Sequence, residues 1–267
     1  MRKFIMMVVS VFVLFTSVQA VSADDAGAAW LDTSALAQGI VKVTYDVKPK
    51  VKMKVMIAKG KENYTYSLAT GRVTETLPLQ LGNGDYKIML LENISGTSYK
   101  AVKQQAVKLN LKDEKVVYLN SVQNVSWTST SQAIAKAKEL AKGKTTDEEK
   151  AKAVYNYIIA NIAYDKVLAD TVTSDYLPSI DKTLASKKAI CYGYASTYAA
   201  MLRSLDIPTK LVMGDSDYVD VYHAWNEVYL NGKWVIVDTT VDAGIKQSNK
   251  ATVFAKDATK YTKTKQY

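Results

Sequence analysis

Only one cysteine, Cys191, and one histidine, His223, occur in 267 residues. A lone cysteine excludes an internal disulfide, and an idle free thiol is a liability in an oxidising compartment, so chemistry is the economical explanation of Cys191. Beyond residue 23 no segment approaches the roughly 20 apolar residues that a membrane helix needs, which excludes a lasting span there. The lysines are spread thinly, without a dense stripe or interleaved aromatics, which excludes nucleic acid as a partner. Internal repeats and low-complexity segments are lacking as well.

What is present begins with Arg2 and Lys3, an apolar run over 4–18, and small-residue cleavage options ending at Ala20 or Ala23. This is the pattern of a secretory signal peptide, residues 1–23, and it predicts a secreted, extracellular protein. No cysteine lies near the cleavage positions, so lipid attachment is not expected there. Lys and Arg total 35 against 26 Asp and Glu; without Arg2 and Lys3 the count is 33 against 26, near +7. Such a charge suits solubility and is compatible with an anionic cell wall.

Two modules are expected. Over 40–119 apolar and polar residues alternate in short runs, separated by turn signals such as Gly82-Asn83-Gly84-Asp85 and Asn93-Ile94-Ser95-Gly96. That spacing predicts a small all-β, sandwich-like support or binding domain over 24–126. From 127 to 267 the pattern is mixed. Ser131 is placed to cap a helix reaching about residue 142, and Gly143 breaks it. Thr146 with Glu149 forms a capping box for a second helix, whose Ala151, Tyr155, Ile158 and Ile162 mark a buried face.

The two rare residues fall on informative elements. Downstream of Cys191, Ala195, Ala199 and Leu202 recur at helical spacing until Asp206-Ile207-Pro208 stops the run, so Cys191 sits near the start of a buried helix. Helix-start N–H groups favour thiolate over thiol and can receive an oxyanion. A strand over 209–214 follows, and then the alternating runs 222–230 and 233–238 flank Asn231-Gly232, a strong hairpin signal. With a two-residue turn Leu230 faces Lys233, Trp225 faces Asp238 and His223 faces Thr240. Asp238 then lies on the face of His223, diagonal to it, at roughly 7–8 Å between backbones. A thiol nucleophile, its base and the carboxylate that orients the base are thereby brought within reach: Cys191, His223 and Asp238.

Four stretches, Ala189-Ile190-Cys191-Tyr192-Gly193-Tyr194-Ala195, Asp206-Ile207-Pro208 with the following strand, His223-Ala224-Trp225-Asn226-Glu227-Val228-Tyr229 and Trp234-Val235-Ile236-Val237-Asp238-Thr239-Thr240, resemble the transglutaminase-like superfamily in order and spacing. The resemblance runs over about 131–240 and includes Tyr164-Asp165. It implies an α+β, papain-like fold with Cys191 as nucleophile, His223 as general base and acid, and Asp238 as its orienting partner. Three positions depart from the family pattern: Ala189 and Asp206 stand where glycine is usual, and Thr239 where proline often follows the aspartate. They concern loop shape.

The chemistry expected is acyl transfer from a glutamine carboxamide or peptide amide of a protein or peptide substrate, through a thioester, to an amine or to water; it calls for no cofactor and no metal. Family members include cross-linkers, proteases and deglycosylating amidases, so the fold does not choose the acceptor. A cell-wall peptidase of another papain-like class shares the Cys-then-His order, but His223-Ala224-Trp225 and Asp238-Thr239-Thr240 speak against it. A binding or adhesion protein with an idle transglutaminase-like domain is the alternative from a different class. Asp215, Asp217 and Asp220 lack the full calcium-loop pattern and read as a solvated turn. Glu227 shares the His223 face and reads as a structural hydrogen-bond partner at the edge of the site. The stretch 243–267 is polar and lysine-rich, and no role is assigned to it.

Overall fold

The computed structural model describes residues 12–14 and 30–267; residues 1–11 and 15–29, which hold most of the expected signal peptide, lie outside the described residues. The chain divides into two compact units, one ending at Val117 and one spanning Tyr118–Tyr267, which starts ahead of the boundary expected at 126/127. Among the described residues no helix is long and apolar enough to cross a membrane.

The first unit is all β apart from short 3-10 turns. Its strands are β1 (Phe12–Leu14), β2 (Leu31–Asp32), β3 (Ile40–Val47), β4 (Met53–Lys59), β5 (Glu62–Leu68), β6 (Gly71–Pro78), β7 (Gly84–Ser95) and β8 (Ser98–Leu109). They form a five-stranded sheet, β1-β8-β7-β4-β5, and a three-stranded one, β2-β3-β6. β1, inside the stretch expected as signal peptide, runs parallel to the start of β8. The alternation read from the sequence buries Val41, Val43, Val55, Ile57, Leu77, Ile88 and Leu90 completely. Each such side chain contributes about 1.5–3 kcal/mol of transfer free energy. A second cluster, Met56, Met89, Leu91 and Tyr99, collects on the other face of the larger sheet.

The second unit mixes helices and strands. In order it contains α1 (Gln132–Ala141), α2 (Asp147–Asn161), β9 (Ala163–Tyr164), α3 (Lys166–Thr171), α4 (Ile180–Ser186), β10 (Lys188–Ala189), α5 (Cys191–Arg203), β11 (Thr209–Ser216), β12 (Val219–Leu230), β13 (Lys233–Val237), α6 (Thr239–Gln247) and β14 (Tyr261–Gln266). The main sheet runs β13-β12-β11-β14, all antiparallel, and α5 packs on β11 and β12 with α1, α2, α4 and α6 around it. More than the expected stripe of α5 is buried: every residue from Gly193 to Arg203 is. An α+β architecture with an N-terminal all-β region is therefore observed.

Local signals account for several boundaries. Thr146 accepts from the Glu149 N–H and Glu149 accepts from the Thr146 N–H, closing the expected capping box. Those N–H donors favour the charged carboxylate and hold Glu149 down at about 2. Ser131 departs from expectation. Its hydroxyl accepts from the Thr128 N–H instead of capping α1, and the Ala133 N–H is taken by the Asp181 carboxylate from α4. A tertiary neighbour thus replaces the local cap.

Candidate active site

Three elements converge on the site. Cys191 is the first residue of α5, after Ile190 in an extended conformation with no side-chain cap. The N–H groups of the first turn consequently have no intrahelical partner and point out beside the sulfur. The helix start is held by β10, which pairs in parallel with β9. Gly193 is required there because a Cβ at its position would come 2.9 Å from the Ala189 Cβ.

His223 stands on β12 opposite Gly214 of β11 and is 2% exposed. The β12–β13 hairpin has the expected register, from Leu230↔Lys233 to Asn226↔Val237, around Asn231 and Gly232 with φ of 50° and 82°. Positive φ at both turn residues is what a type I′ hairpin demands. The ladder ends at Asn226↔Val237, earlier than expected. Asp238 does not pair with Trp225, nor His223 with Thr240, because the chain turns into α6 at Thr239. Asp238 is the N-cap of that helix: its Oδ1 accepts from the N–H groups of Thr240 at 3.1 Å and Val241 at 3.0 Å. Thr239 is accordingly a first-turn helical residue, a position where proline is also readily housed, so this departure from the family pattern leaves the loop intact.

The other carboxylate oxygen meets the imidazole. His223 Nε2 lies 2.8 Å from Asp238 Oδ2, with Asp238 wholly buried. Nδ1 is then the ring nitrogen left for Cys191, which acts on His223 both by hydrogen bond and by charge. Burial pulls the His223 pKa down, but hydrogen bonds and charge from Asp238 and Cys191 outweigh it and hold the ring up at about 10. Cys191 itself is partly exposed.

Around this core the structure places further groups, of which Tyr261, Tyr176 and the contacts of Asn226 were not found by sequence analysis. The Tyr261 hydroxyl donates to Asp238 Oδ2 at 3.0 Å. Trp225 stacks on His223 (centroids 6.2 Å, 25°) and packs against Tyr261 at 4.9 Å. Asn226, fully buried, donates to the carbonyls of Ala195 at 2.9 Å and Lys210 at 3.0 Å, tying α5 to the sheet. Tyr164 and Tyr176 both sense Cys191; burial raises both phenols first, followed by the charge of Cys191 at Tyr164 and by the charges of Asp165 and then Cys191 at Tyr176.

The polar C-terminal stretch, given no role in the sequence, holds this arrangement together. β14 pairs with β11, and a Cβ on Gly214 would run into the Thr262 carbonyl and stand 3.0 Å from Trp225. Lys256 makes a buried 2.5 Å ion pair with Asp242, which also accepts from the Tyr155 hydroxyl. Arg203 donates to the carbonyls of Thr209, Asn120 and Tyr267, each at 2.8 Å, and burial lowers it to about 9. The only sequence signal for β14 was a weak alternation, Thr262-Lys263-Thr264-Lys265, with no apolar face to announce it.

Glu227 turns to Lys210 (2.9 Å) and Lys263 (3.1 Å). Asp217 pairs with Lys260 at 3.1 Å, and among the described residues no group of three or more potential ligands is placed to hold a metal.

Residues 134–239 match the model of the transglutaminase-like superfamily. The human kyphoscoliosis peptidase is 27% identical over 223 residues, covering 80% of this chain and 32% of the relative. Its mouse counterpart is 30% identical over 110 residues, covering 38% and 16%. The chain thus spans about a third of the human relative's length. Similar solved structures include a TGase (26% identical, TM-score 0.34, covering 40% of this chain and 31% of that one). Another is the periplasmic domain of TgpA from Pseudomonas aeruginosa (15% identical, TM-score 0.39, covering 78% and 71%).

Proposed function

We propose, from the match of residues 134–239 to the transglutaminase-like superfamily model, that the protein is an exported thiol acyl-transfer enzyme acting on protein or peptide amides. The observation that carries this is His223, buried between the Asp238 carboxylate at 2.8 Å and the Cys191 sulfur. Cys191 is the nucleophile, His223 the general base and acid, and Asp238 the group that orients the ring.

The Cys191 sulfur attacks the carbonyl carbon of a glutamine carboxamide or peptide bond. The N–H groups at the start of α5 receive the developing oxyanion, where partial positive charge is already fixed. The C–N bond then breaks, the nitrogen leaves with the proton of the His223 imidazolium, and a thioester remains. An amine or water attacks the thioester, loses its proton to His223 and frees the sulfur. The peptidase name of the human relative favours water as acceptor. Export rests on the charged and apolar N-terminal pattern, and the excess of Lys and Arg suits a setting close to an anionic cell wall.

The test incubates the protein and Cys191→Ala with a glutamine-containing protein, with and without a labelled primary amine. Amine incorporation lost in the variant establishes transfer, and fragments lost in the variant establish proteolysis. Equal behaviour of both proteins would refute thiol catalysis and leave a binding role for the idle domain.

A further inference from the structure

We propose that Tyr261, on the C-terminal strand outside the family match, is a positioning residue that holds Asp238 in register with His223 and tempers its pull on the imidazole proton. The proposal rests on the assignment of Cys191, His223 and Asp238 above. It extends the site beyond residue 239, where the match ends.

The geometry is a count of lone pairs. Asp238 accepts four hydrogen bonds: Thr240 N–H and Val241 N–H on Oδ1, His223 and the Tyr261 hydroxyl on Oδ2. The two on Oδ1 come from the helix the residue itself caps, so they fix one oxygen locally. The second oxygen is shared by one ring nitrogen and one phenol. Without the phenol a single bond would set the carboxylate plane against the imidazole. With it, Oδ2 is triangulated from β12 and β14.

The phenol is itself held. Tyr261 pairs with Ser216 across β11–β14, packs on Trp225, and tilts against Tyr218 at 5.7 Å. Trp225 in turn covers the face of His223. Burial first, then the charge of Asp238, raises the Tyr261 phenol far above its ordinary value, so it remains a donor throughout the working pH range. The groups whose charge reaches this cluster are Asp238 and Cys191 on His223, with Asp242 and Tyr155 also within the field of Asp238.

A donor on Oδ2 withdraws charge from the carboxylate and makes it a weaker partner for the imidazolium. Removing that donor raises the pKa of His223, and strengthening it lowers the pKa. Loss of the Asp238 carboxylate does the opposite of loss of the phenol, because it removes the partner itself.

Because His223 is the sole histidine, its ring nitrogens are assigned without ambiguity in a 1H–15N spectrum, and no substrate is needed. The full chain is titrated as wild type, Tyr261→Phe, Tyr222→Phe and a protein with 3-fluorotyrosine at 261, a stronger acid that keeps the fold. The expected result is a His223 pKa moved up by Tyr261→Phe and down by the fluorinated residue. Tyr222→Phe, which removes a hydroxyl from Thr264 on the same strand, should leave it in place. On an amide substrate Tyr261→Phe should lower kcat about tenfold with KM unchanged, the worth of one hydrogen bond to a charged group. If neither change at 261 moves the His223 titration, or both move it the same way, the positioning role is overturned. Should Tyr261→Phe fail to fold, the fluorinated protein alone decides by the direction of its shift. Shifted titrations in a protein that turns over no amide would instead sink the enzymatic assignment and leave the Tyr261 contact standing.

Discussion

Replacing Asp238 by asparagine tests the electrostatics of the site most directly. Asparagine keeps an oxygen for the N–H groups of Thr240 and Val241, so the α6 cap survives. Its amide cannot accept from both His223 and Tyr261, and the negative charge is gone. What remains for His223 is burial, which lowers its pKa, against the Cys191 contribution alone, so the ring falls from about 10 toward and below its ordinary value. At neutral pH the imidazolium partner of the thiolate is then lost. Alkylation of Cys191 by iodoacetamide at pH 7 should therefore slow markedly. Stability should also fall by about 3–5 kcal/mol, the cost of breaking a buried pair from one side. The sign with pH follows from a folded pKa near 10 and an unfolded one near 6.5. The stabilisation is fully present below pH 6.5 and is lost as pH rises toward 10, so urea midpoints of wild type and variant should converge over that window. An unchanged alkylation rate at pH 7, or a stability gap constant from pH 6 to 10, would refute the account.

Two further substitutions probe the frame. Lys256→Met leaves Asp242 buried without its cation and should cost about 3–5 kcal/mol by urea denaturation at pH 7. Burial already raises the Asp242 carboxyl, so the loss should shrink as the pH falls and the carboxyl protonates, and adding Asp242→Leu should recover most of it. A loss independent of pH would contradict this. Asp206, one of the departures from the family pattern, has φ of +61° just after α5. A glycine there avoids a left-handed strain of about 1–2 kcal/mol at some entropic cost, so Asp206→Gly should raise stability by about 0.5–1 kcal/mol, and a lower melting temperature would count against it.

Several features follow from the chain by itself because their causes are local. The capping box needs only Thr146 and Glu149 three residues apart, and the hairpin register needs only two residues able to take positive φ between alternating runs. Alternation over 40–119 likewise suffices for strands with one face in a core. The chain also restricts the site chemistry to one thiol and one imidazole, since no second candidate of either type exists.

Only tertiary structure decided the rest. Asp238 reaches His223 as a helix cap that leaves the sheet, because side-chain capping of α6 competes with one more ladder pair and wins. The α1 cap passed from Ser131 to Asp181, and a polar tail without hydrophobic pattern became the strand that brings Tyr261 onto Asp238. Such contacts join residues tens of positions apart through polar atoms, whose pairing depends on which buried lone pair is unsatisfied nearby. No periodicity along the chain encodes that, and so the tail is silent in sequence and decisive in the fold.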